Sequence, residues 1–115
     1  MRFLALALGI CVAANAAAQT VTARGARSCA LWSENRLDAR GGHLLGAQFY
    51  QTWLVGYLSG VAAGTGVDLL GSVPNAPLFQ RVDRYCAENP AANLAQAGAT
   101  VARELMQSGV IYWGP

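Results

Sequence analysis

Once the first eighteen residues are read as an export signal, two cysteines remain, Cys29 and Cys86, and no other feature narrows the fold as much. The signal is legible in MRFLALALGICVAANAAAQT: Arg2, an uncharged apolar run from Phe3 to Ala14, then small residues. Ala16-Ala17-Ala18 places the cut before Gln19, and Ala14-Asn15-Ala16 offers a second site. The run is too short to anchor the chain across a bilayer. Cys11 lies inside it behind Ile10 rather than a small residue, which argues against lipid attachment. The mature chain is therefore expected to be periplasmic or secreted, with no stable membrane anchor after cleavage. An even cysteine count in an exported chain of this size points to one disulfide. Closing a loop of roughly 60 residues would stabilise the fold by about 4 kcal/mol, a large share for a small domain. The alternative is two independent buried thiols.

About 97 residues remain after the signal, enough for one domain and too few for two. Residues 19–27, QTVTARGAR, have no sustained period and are expected as a flexible leader, with a single helical domain over 28–115. Ser28 caps a first helix carrying Cys29, Leu31 and Trp32, which Gly41-Gly42 ends. From His43 to Val67 there is no charge, and two apolar rows run through the segment: Leu45, Phe49 and Trp53, then Tyr50, Leu54, Leu58 and Val61. That pattern predicts a helix of about twenty residues, stopped by Gly64-Thr65-Gly66. Gln48, Tyr50, Gln51, Thr52 and Ser59 interrupt it, against a membrane span. A loop over Val67 to Pro74 half-buries Leu69-Leu70. Asn75 is the expected cap of a third helix with Pro77 in its first turn and Leu78, Val82, Tyr85 and Cys86 on its apolar face. Asn89-Pro90 ends it, and a fourth helix runs from Pro90 to Gln107 with Leu94, Val101 and Leu105 on one side. Gly109 follows, then the apolar tail Val110-Ile111-Tyr112-Trp113. The fold class is all-α: a small four-helix domain closed by one disulfide.

The chemistry-bearing residues are few. His43 is the only histidine, and it sits beside two glycines where an exposed linker position is expected. With both cysteines claimed, no nucleophile and base pair is evident, so no catalytic residue is assigned. One histidine with no free cysteine makes no zinc site, and no metal or cofactor is expected. Asp68 and Asp83 have no spacing that converges them as paired carboxylates. Gly64 to Gly71, GTGVDLLG, follows a helix, lacks a preceding strand and has no Lys-Ser/Thr ending, so it is not a phosphate loop. Without Arg2, seven arginines face six acids and there is no lysine, which leaves no electrostatic footprint for nucleic acid.

Gly56, Gly60 and Gly64 stand four apart, a smooth stripe where another helix backbone could approach. The expectation is a packing groove inside the domain; a homodimer contact is the other use of such a stripe.

The string Trp53-Leu54-Val55-Gly56-Tyr57-Leu58-Ser59-Gly60, then Asp68, then Val82-Asp83-Arg84-Tyr85-Cys86-Ala87-Glu88-Asn89-Pro90, together with the upstream Cys29-Ala30-Leu31-Trp32, resembles small exported bacterial proteins. The group is that of the HdeA-type acid-stress chaperones and the Tai/Rap immunity proteins of type VI secretion, and the resemblance covers roughly residues 29–106. It implies a small, helical, disulfide-linked periplasmic protein that acts by binding another protein. The expected function is thus a periplasmic protein-binding module, of immunity type against a secreted toxin. An HdeA-like chaperone is the alternative, ahead of a small enzyme. Candidate anchors for a protein partner are Tyr57, Arg81, Arg84, Tyr85 and Trp113.

Overall fold

The computed structural model describes residues 21–108. The export signal, Gly109 and the Val110 to Trp113 tail lie outside the described residues. Four helices follow in order: α1 (Cys29–Arg40), α2 (Leu45–Thr65), α3 (Asn75–Glu88) and α4 (Leu94–Gln107). Among the described residues the β pairing is a single isolated bridge between Ser28 and Asn93. The protein is all-α, with the Cys29–Cys86 disulfide in place.

Local chemistry sets most helix ends where the sequence puts them. The Ser28 hydroxyl accepts from the Leu31 N–H at 3.1 Å and starts α1. Gly41 closes it, after which the His43 N–H turns back to the Asp38 carbonyl at 2.9 Å. Gly66 closes α2 with φ of +71°, a left-handed conformation that glycine adopts without strain. Two starts differ from expectation. Asn75 is the first helical residue of α3 rather than its cap; Pro74 is already extended and its carbonyl accepts from the Leu78 N–H at 3.2 Å. The fourth helix begins at Leu94 rather than Pro90, because Asn93 and Gln96 form a reciprocal capping box. Asn93 Oδ1 accepts from the Gln96 N–H at 3.0 Å and Gln96 Oε1 from the Asn93 N–H at 2.9 Å.

Trp32, Leu54, Leu58, Leu78, Val82, Leu94, Val101 and Leu105 are fully buried and form one core with the disulfide. Leu69 reaches into the same core from the loop between α2 and α3, while Leu70 is half-buried. In α2 the core takes the Leu54 and Leu58 row. Leu45 and Phe49, read from the sequence as an apolar helical row, point outward instead.

The disulfide joins the first residue of α1 to the last turn of α3, with the Cα atoms 4.9 Å apart. Hydrogen bonds beside it draw in α4: the Cys29 N–H donates to the Ala92 carbonyl at 2.8 Å, and the Leu94 N–H to the Arg27 carbonyl at 2.9 Å. Arg27, within the expected leader, is thereby joined to the start of α4. Trp53 Nε1 also donates to the Arg24 carbonyl at 2.8 Å. Gly25 has φ of +81° with the indole directly against it, where a Cβ would lie 2.9 Å from Nε1. No helix of the described residues is long and apolar enough to cross a membrane.

Native protein isolated in air is expected to leave Cys29 and Cys86 unalkylated, and both should react after reduction. Reduction should lower unfolding stability by about 4 kcal/mol in a urea titration. Alkylation of both thiols without reductant would contradict the bond.

Candidate protein-binding surface

A solvent-facing helix ordinarily carries charge on its outer side. α2 carries none from Leu45 to Thr65, yet only one side of it is covered. Ala47, Leu54 and Leu58 face the core. At ~100° per residue, Leu45, Phe49, Thr52, Gly56, Gly60 and Ala63 fall on one stripe on the opposite side, and all six are exposed. Leu45 is 82% and Phe49 66% exposed, an unusual cost for large apolar side chains in water. Leu45, Gln48, Phe49, Thr52 and Trp53 line a shallow groove of about 390 Å³. Beside it, Gln48, Gln51, Thr52 and Val55 meet Asn75 and Phe79 of α3 around a cleft of about 240 Å³. The surface offers apolar contact and neutral amides, and no ionic anchor.

Gly56 and Gly60 lie on this stripe and Gly64 on its flank. A Cβ built on any of the three meets nothing within 4 Å, so the expected packing groove inside the domain is corrected: no described element packs on them. The glycine that does admit a close neighbour is Gly98 of α4, buried beneath Tyr57 with room for no side chain; a Cβ there would lie 2.8 Å from the Tyr57 ring. Its neighbours Ala97 and Val101 also belong to the core, but the sequence does not show which ring would cover it.

The five candidate anchors do not assemble into one site. Tyr57 is half-buried, stacked on Trp53 with ring centroids 5.4 Å apart and pressed on Gly98, so its ring fills the α2–α4 contact. Arg81 bridges to Glu104 of α4 at 3.2 Å. Tyr85 packs half-buried against the core. Arg84 is exposed on α3, and Trp113 lies outside the described residues. No hydrogen bond or ring contact joins any two of the four described candidates.

A polar cluster that the sequence did not announce joins α1 to α3. Asp83 accepts from Trp32 Nε1 at 2.8 Å, from Arg36 Nε at 3.0 Å and from Arg36 Nη2 at 2.8 Å. The Arg36 guanidinium also lies 5.8 Å from the Trp32 ring centroid and 5.9 Å from that of Phe79. Donating to the Asp83 carboxylate raises the pKa of the Arg36 guanidinium above its ordinary value despite partial burial. Every partner here belongs to the chain itself, and the cluster reads as structural. Asp68 caps its own loop, accepting from the Gly71 N–H at 3.0 Å, and His43 is exposed. Among the described residues no three His, Cys, Asp or Glu side chains come together as a metal site.

Compared with known proteins, the chain matches no family model, no curated protein and no solved structure. The likeness to the HdeA-type and Tai/Rap group therefore rests on the quoted residues alone.

The two kinds of glycine should separate on substitution. Gly60→Leu should leave monomer stability unchanged or raise it by about 0.5–1 kcal/mol through helix propensity. Gly98→Leu should lower it by about 1–3 kcal/mol through overpacking against Tyr57. Urea midpoints of the two variants at low protein concentration provide the comparison. A marked loss with Gly60→Leu there would place a covering element on the stripe.

Proposed function

We propose that this is an exported protein-binding module, which works by surface complementarity and presents the outer face of α2 to another protein. The observation that supports this most directly is the exposure of Leu45 and Phe49 on a helix with no charge on its solvent side. Burying either side chain against a partner would contribute about 1.5–3 kcal/mol. Two such residues beside a groove and a smooth glycine stripe suit a few-residue binding centre surrounded by near-neutral contacts.

Within that function we favour an immunity role, in which the partner is a secreted toxin that must be neutralised by stoichiometric capture. The resemblance over residues 29–106 supports it, and one complementary surface is all it requires. An acid-triggered chaperone has less support, since the chain offers only six acids and one histidine to titrate. Two of those acids, Asp83 and Glu104, are engaged by arginines.

Affinity capture with the mature disulfide-bonded protein, using the product of the neighbouring gene or an envelope extract as the source, tests the surface. A captured protein should bind Phe49→Asp roughly 30-fold more weakly, or about 2 kcal/mol, while Arg84→Ala binds it like wild type. Circular dichroism should show both variants folded. Loss with Arg84→Ala and full binding by Phe49→Asp would move the site to α3 and overturn the assignment.

A further inference from the structure

Among the described residues the leader is hydrogen-bonded to the helices at Arg24 and at Arg27. The Arg27 carbonyl accepts from the Leu94 N–H of α4 at 2.9 Å, and the Arg24 carbonyl from Trp53 Nε1 of α2 at 2.8 Å. Between the two the chain turns at Gly25, whose φ of +81° suits glycine and few other residues. The indole lies so close that a Cβ on Gly25 would be 2.9 Å from Nε1 and 3.1 Å from Cδ1. Residues 23–26 thus form a strap bridging α2 and α4. We infer that this strap is a conformational device: seated, it holds Trp53 as a fixed wall of the α2 groove, and released, it lets that wall go. The inference rests on the reading of α2's outer face as a binding surface and gives that surface a means of regulation.

Trp53 is placed to carry the coupling. One face of its ring stacks on Tyr57, with centroids 5.4 Å apart and planes 17° apart, and Tyr57 is in turn pressed on Gly98. Its N–H is taken by the strap, and the same side chain lines the groove with Leu45 and Phe49. Stacking fixes the plane of the ring, while the bond to Arg24 fixes where its N–H points. A net hydrogen bond of this kind is worth a roughly two- to tenfold preference for the seated state.

The strap is poised to open because little else retains it. Arg24 and Gly25 are exposed, and Val21 ahead of them is 85% exposed. Val21 and Ala23 stand over a space of about 330 Å³ that Tyr57, Asn93, Gln96 and Ala99 also line, so this end of the leader leaves its seat unfilled. A segment with few buried contacts belongs to the low-stability end of a fold. The sign of the coupling follows from the groove itself. Its volume of about 390 Å³ is that of the seated state, so an occupant that fits it stabilises the strap. By reciprocity the seated strap favours that occupant by the same factor.

Hydrogen exchange of the indole N–H groups, followed by NMR in the disulfide-bonded mature protein, tests the device. Trp32 Nε1, bonded to Asp83 in the core, is an internal standard. In wild type the Trp53 N–H should be protected but exchange faster than that of Trp32. Gly25→Val leaves the groove lining intact yet cannot seat, so it should speed exchange at Trp53 about tenfold or more and leave Trp32 unchanged. Gly25→Ala should act in the same direction, and circular dichroism should show both variants folded. The uncharged dye N-phenyl-naphthylamine serves as groove probe. At saturation it should slow Trp53 exchange in wild type about threefold or more, and Gly25→Val and Phe49→Asp should each bind it more weakly than wild type. An unprotected Trp53 N–H in wild type, or equal exchange in the Gly25 variants, would overturn the strap. Dye that binds Gly25→Val or Phe49→Asp as well as wild type, or does not bind wild type, would overturn its coupling to the groove. The capture experiment with Phe49→Asp decides separately whether a protein covers α2.

Discussion

The covalent tie between Cys29 and Cys86 sets α1 against α3, and the contacts behind it follow in antiparallel step. Cys29 lies over Cys86, Trp32 donates to Asp83 one turn on, and Arg36 sits over Phe79 one turn further. Trp32 also meets Phe79 edge-on, with ring centroids 5.9 Å apart. The tie fixes which turn of α1 meets which turn of α3, and the bidentate Arg36–Asp83 pair holds that register at the half-exposed edge of the core. A slip of one turn would leave the buried Trp32 N–H without an acceptor, a cost of about 1–3 kcal/mol. α4 is added by backbone hydrogen bonds at the same end, from Cys29 to Ala92 and from Leu94 to Arg27. α2 is added by burial, through Leu54 and Leu58.

The parts legible in the sequence are those governed by local chemistry or by counting. The Ser28 cap, the glycine stops at Gly41 and Gly66 and the cysteine pairing depend on residues read in place. Periodicity gave four helices but left α2 ambiguous, because both of its rows are apolar and only assembly decides that Leu54 and Leu58 go inward. Gly56, Gly60 and Gly64 have the spacing of a packing groove, yet Gly98, alone in its helix, takes the close neighbour. Spacing along one helix cannot show which element comes to meet it. The same gap hid the bond from Trp32 to Asp83, whose partners are far apart in sequence. A clue to α2 was present: a helix with two apolar rows and no charge offers more apolar surface than one small core can cover.

This surplus separates two tasks within one small domain. α1 and α3 direct their polar and sulfur chemistry largely at each other, and of the anchors expected on α2 and α3 only Arg84 stays exposed, while Tyr57 packs on Gly98, Arg81 bridges to Glu104 and Tyr85 packs against the core. The outer side of α2 is left with side chains that have no use inside the fold. Its neutral amides, Gln48 and Gln51, stand beside the apolar residues and could accept or donate to a backbone laid across the cleft.

α2 lies wholly within the loop closed by Cys29 and Cys86, and so does the exposed turn at Gly71 and Ser72 that follows it. A protease cutting once at that turn would not divide the molecule. One fragment would carry α1 with α2 and the other α3 with α4, and the sulfur bond would still join them. Leu69 on one side of the cut and Leu78 on the other are both fully buried, so each end keeps an apolar anchor close by. The domain is thus built to stay in one piece after a nick in this exposed turn.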